Sequence, residues 1–90
     1  MNINTQPNLH LLNRRPPSDL LEQILSNGEA LVLISEGVYL LREINPTSQI
    51  YVITSDLHAR LPGLELTRAI KLIDYAALVK LTQHYNLVTW

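Results

Sequence analysis

Five consecutive apolar residues, Ala30-Leu31-Val32-Leu33-Ile34, stand between a turn signal, Asn27-Gly28, and a polar break, Ser35-Glu36-Gly37. A strand with one wet face alternates apolar and polar residues. A run with no polar member fits a strand covered on both faces, as inside a parallel sheet. Ile50-Tyr51-Val52-Ile53-Thr54 has the same character and is rich in β-branched residues. Leu9-His10-Leu11-Leu12 reads as a first strand and Ile70-Lys71-Leu72-Ile73 as a fourth. Leu87-Val88-Thr89-Trp90 is either a short terminal strand or an apolar tail.

Helical signals fill the intervals. After the loop Asn13–Pro17, Ser18 is a candidate N-cap, and Leu20, Leu21, Ile24 and Leu25 share one helical face. Gly28 suits the left-handed residue that follows a last turn. Ser35-Glu36-Gly37 opens a second short helix, Val38–Glu43, ended by Asn45-Pro46. Ser55 is a candidate cap for one or two turns reaching Arg60, stopped by Pro62-Gly63. Asp74 is a candidate cap for a last helix running to about His84. Strands alternating with short helices predict an α/β fold: a small, mostly parallel sheet of four to five strands with helices on both faces. One domain spanning 1–90 is expected, with residues 1–8 polar and flexible.

Ninety residues bury only roughly 60–65% of the surface of the unfolded chain. Yet 47% of them are hydrophobic, which is generous for so small a core. Part of that apolar surface is expected outside, at an interaction site. Seven basic against eight acidic residues give a net charge of −1 and no basic stripe for a phosphate backbone, so no direct nucleic-acid contact is expected. The pair Arg14-Arg15 reads as a solvated loop. The chain has no cysteine, which removes disulfides, zinc–thiolate sites and thiol or persulfide chemistry. Met1–His10 lacks the layout of a signal peptide and no apolar run reaches membrane-spanning length, so no membrane association and a cytoplasmic location are expected.

Ligands of such sheets bind beyond the carboxyl ends of the strands. There the chain offers no Gly-rich phosphate loop and no Gly-x-Ser-x-Gly elbow, so no cofactor is expected. The densest polar cluster is Asp56, His58 and Arg60. It reads either as an acid–base or anion site of a small-molecule-binding or minimal enzymatic module, or as an exposed i,i+4 pair worth about 0.3–0.5 kcal/mol with His58 on another face. The second reading is favoured, because residues two apart on a helix do not face each other. His10 and His84 have no carboxylate at metal-ligand spacing and read as structural or surface residues, so neither a metal site nor a catalytic constellation is expected. Tyr85, Leu87, Val88 and Trp90 could anchor an interface or fold back on the sheet.

Four segments together resemble the TusB/DsrH family of sulfur-relay proteins. Leu9-His10-Leu11-Leu12-Asn13-Arg14 is similar to the opening strand, and Leu33-Ile34-Ser35-Glu36-Gly37-Val38-Tyr39 to the apolar strand that ends in Asp-Gly-Val. Tyr51-Val52-Ile53-Thr54-Ser55-Asp56-Leu57-His58-Ala59-Arg60 is similar to Val-Tyr-x-Leu-x-x-Asp-Leu-x-Ala-Arg-Gly. Ile73-Asp74-Tyr75-Ala76-Ala77-Leu78-Val79-Lys80-Leu81-Thr82 matches Asp-Tyr-x-x-Phe-Val-x-Leu-Thr closely. Departures are Glu36 for Asp, Leu61 for Gly and Leu78 for Phe. Members from sulfur oxidisers carry a cysteine in the first helix where this chain has Leu20, Leu21 and Glu22, which points to the TusB-like branch.

The resemblance implies a DsrE/DsrF/DsrH-like fold and a non-catalytic subunit of a heterohexamer with TusC- and TusD-like chains. TusA- and TusE-like carriers would bring and remove the sulfur, which ends as the 2-thio group of wobble uridine in tRNA. An isolated subunit could instead self-associate as a homo-oligomer.

Overall fold

The computed structural model describes residues 7–44, 49–64 and 70–90. Five strands, β1 (Asn8–Leu12), β2 (Ala30–Leu33), β3 (Ile50–Ile53), β4 (Ile70–Ile73) and β5 (Asn86–Thr89), form one sheet in the order β4-β3-β2-β1-β5. Every neighbouring pair is parallel. The apolar runs at Ala30 and Ile50 become the two strands in which all four residues are buried, whereas the edge strands β4 and β5 are only partly covered. The final segment therefore takes the strand form and not that of a loose tail. Its Asn8↔Asn86 register starts β1 at Asn8, one residue inside the stretch expected to be flexible. Residues 1–6 and the Asn45-Pro46 stop lie outside the described residues.

Between the strands lie α1 (Ser18–Ser26), a 3₁₀ helix (Ser35–Arg42), α2 (Thr54–Arg60) and α3 (Tyr75–Leu81). Strand pairing sends His10, Leu31 and Ile50 to one face of the sheet, and Leu9, Ala30 and, one step along, Val32 and Tyr51 to the other. The first face packs against Leu21 and Ile24 of α1, Val38 and Leu40 of the 3₁₀ helix, and Leu57 of α2. The second packs against Leu78 and Leu81 of α3, the one helix on that side among the described residues, and against Tyr85 after it. This follows from the strand order. Crossovers of one hand that step from β1 to β4 place their helices on one side, and the return from β4 to β5 places its helix on the other. Truncating a fully buried residue of the first face, such as Leu31, costs about 2–5 kcal/mol.

Local caps divide into those the sequence announces and those it does not. Asp74 caps α3, its Oδ1 accepting from the Ala77 N–H at 2.8 Å. Gly28 takes φ +69° after α1. Ser18 and Ser55 are not caps. Pro17 precedes α1 and Ile53 precedes α2, neither with a side-chain cap bond. Ser18 is already helical, and its hydroxyl accepts from Arg15 Nη1 at 3.1 Å. Arg15 in turn holds Glu43 at 3.0 Å, so the Arg14-Arg15 loop is pinned through its second arginine. The second helix begins three residues earlier than expected and is 3₁₀. Gly37 presses so closely on β1 that a Cβ there would sit 2.0 Å from the Leu12 carbonyl oxygen.

Candidate functional site

At the carboxyl ends of β2, β3 and β4 the sheet brings Ser35, Asp56, Arg60 and Tyr75 together. Asp56 sits on the first turn of α2. Its Oδ2 accepts the Ser35 backbone N–H at 2.9 Å and the Tyr75 hydroxyl at 3.0 Å. Arg60 Nη1 stands 3.9 Å from its Oδ1. Ser35 holds a left-handed backbone, φ +52°, which costs a non-glycine residue roughly 1–2 kcal/mol. The carboxylate offsets that cost by fixing the amide the turn exposes. The hydrogen bond to Asp56, burial and the carboxylate's charge all raise the Tyr75 phenol above its ordinary value, because a phenolate there would face Asp56.

Of the cluster read from the sequence, Asp56 and Arg60 meet and His58 does not. His58 is exposed and takes no part in the contacts of Asp56. The actual partners of Asp56, Ser35 and Tyr75, lie 21 and 19 residues away, on segments that only the register of the sheet brings near. Chemically the cluster is satisfied from within: the carboxylate's donors belong to the fold and fasten the starts of the 3₁₀ helix and α3 to α2.

A second constellation sits on β1 and β5. His10 is buried, and its ring stacks on Trp90 with centroids 6.0 Å apart. Trp90 Nε1 donates to His10 Nδ1 at 3.1 Å. An indole N–H can only donate, so Nδ1 is the acceptor and the ring proton lies on Nε2, which is bonded to the Glu29 carboxylate. Asn8 Nδ2 donates to the other Glu29 oxygen at 3.3 Å. The carboxylate that the spacing around His10 lacks is thus supplied by the turn after α1, 19 residues on. Among the described residues no group of three His, Asp or Glu side chains is placed to hold a metal ion.

The terminal residues point two ways. Val88 shares a face with His10, while Leu87 points to the α3 side and is 45% exposed. Trp90 is 37% exposed beyond its stack on His10. Tyr85 donates its hydroxyl to Gln49 Oε1 at 3.1 Å, and burial pushes its phenol above the ordinary value. No helix among the described residues is long and apolar enough to cross a membrane.

Comparison with known proteins gives consistent results. The family described as "DsrH like protein" matches residues 15–88. Protein TusB of Escherichia coli strain K12 is 33% identical to the chain over 94 residues, covering 91% of this chain and 99% of the relative. Protein TusB of the Escherichia coli Crooks strain gives the same identity and coverage.

Proposed function

The chain belongs to the DsrH-like family, and from that premise we propose that it is a non-catalytic subunit of a TusBCD-type sulfur-relay complex. Its partners are TusC- and TusD-like chains. The complex takes persulfide sulfur from a TusA-like carrier and passes it to a TusE-like one, toward 2-thiolation of the tRNA wobble uridine. In this reading the chain works in the cytoplasm and touches neither membrane nor tRNA itself.

The observation that carries the proposal is the near full-length similarity to Protein TusB in a chain with no cysteine. A persulfide is held on a thiol sulfur, so the sulfur must ride on another subunit. The internally satisfied Asp56 cluster supports a structural role, since its polar groups are spent on joining three elements. Exposed apolar side chains on the α3 side, among them Leu87 and Val79, suit a chain that is completed by partners. We assign Leu87 and Trp90, with Tyr85 and Val88 behind them, to a contact with a neighbouring subunit.

Co-expression with the TusC- and TusD-like chains of the same organism should give one particle that elutes together on gel filtration. Elution of this chain apart from both would overturn the proposal.

A further inference from the structure

The face carried by α3 differs from the opposite face in cover. α3 is seven residues long with none buried, and it is the only helix on its side of the sheet among the described residues. Leu78 and Leu81 turn inward over the sheet. Beside them a groove of about 210 Å³ stays open, lined by Tyr51, Ile73, Ala77, Lys80, Leu81 and His84. Its walls are the Tyr51 ring, the hydrocarbon side chains of Ile73, Ala77 and Leu81, and the flanks of Lys80 and His84. Sites for small organic ligands run about 300–1,000 Å³. A groove smaller than that fits an inserted side chain better than a substrate.

The rim is cationic. Lys71 Nζ lies 5.8 Å from the centroid of the Tyr51 ring, and Lys80 forms part of the wall. These are the chain's only two lysines. Among the described residues the ion pairs between charged side chains are Arg15–Glu43 and Arg60–Asp56, and Glu29 is hydrogen-bonded to His10, so neither lysine meets a carboxylate. Two copies packed through this face would crowd ammonium groups around one apolar seam, an arrangement that like charges penalise. A chain of different sequence with carboxylates beside an apolar side chain has no such penalty.

We infer that the groove between α3 and β4 is a docking site for a different subunit, which inserts an apolar side chain flanked by carboxylates between Lys71 and Lys80. The inference rests on the subunit reading above and names the surface that serves it.

The test uses the co-expressed complex with an affinity tag on this chain. Lys71→Glu/Lys80→Glu reverses the rim at two exposed positions, and Ala77→Leu fills the groove without changing charge. Both variants should melt close to the unaltered chain while recovering at least about tenfold less partner, and the charge reversal should recover partly in high salt, where like-charge repulsion is screened. Partner recovery equal to that of the unaltered chain in both variants would overturn the assignment of this face while leaving the subunit reading intact. If the unaltered chain recovers no partner, the subunit reading fails and the docking site with it. A homodimer of the isolated chain that the charge reversal abolishes would also overturn the inference, because the occupant would then be a second copy.

Discussion

Asp56 shows how one side chain can hold a junction. Its carboxylate takes the Ser35 amide, the Tyr75 hydroxyl and the Arg60 charge, so three helices meet at a single group. Asp56→Ala strands the Ser35 N–H in its left-handed turn and should lower stability by about 2–3 kcal/mol, whereas Asp56→Asn keeps an acceptor and should cost about 1 kcal/mol. Denaturant unfolding of the two variants measures both. Tyr75 adds a pH signature. Its raised phenol pKa means the folded state holds the proton more tightly than the unfolded chain does, so the contribution is complete below the ordinary tyrosine value near 10 and fades as pH rises through the folded value. A pH–stability profile should therefore fall at alkaline pH less steeply in Tyr75→Phe than in the unaltered chain. An identical alkaline slope would remove Tyr75 from the account. The sequence exposes half of this junction. Asp56 and Arg60 are four apart on one helix and can be paired on sight, but Ser35 and Tyr75 come from other crossovers, and no local spacing announces them.

Among the elements, legibility follows cover. β2 and β3 are buried on both sides, so their sequences carry uninterrupted apolar runs that read directly as interior strands. β5 is an edge strand with alternating burial, and Leu87-Val88-Thr89-Trp90 looks equally like a tail until its register with β1 is known. Beyond its parallel ladder with β1, it is fastened by the stack and hydrogen bond between Trp90 and His10, locked by Glu29. Trp90→Ala removes both and should cost about 1–2 kcal/mol. In a domain of this size that lowers Tm by about 4–8 °C per kcal/mol. Hydrogen exchange should speed first at the β5 amides, because an edge strand opens before the interior strands. Uniform loss of protection across the sheet would show instead that β5 is integral to global folding. The 3₁₀ helix escaped a correct start point because its entry is set by contact, not propensity. Gly37 lies against the Leu12 carbonyl, and Gly37→Ala should destabilise by about 3 kcal/mol by forcing β1 and the helix apart, as thermal melting would record.

Taken as a whole, the molecule has one thick side and one thin side. Among the described residues, three crossovers stack on one face of the sheet, and a single seven-residue helix returns across the other. Val79 is 61% exposed on that helix, and Leu87 of β5 is 45% exposed on the same face of the sheet. A chain this small has little stability to spare, so apolar surface left on its thin side is best understood as surface meant for another chain. The α/β alternation and the missing cysteine were open to reading from the residues alone. Which face lies thin was not, because it depends on β5 returning to the far side of β1. The central claim is that this chain is one fixed part of a larger relay particle. It is tested most directly by the native mass of the particle recovered through a tag on this chain, after expression with its TusC- and TusD-like partners. The account predicts a stoichiometric complex containing all three chains, with the persulfide-bearing cysteine on a partner. Recovery of this chain alone, as monomer or homo-oligomer, would contradict it.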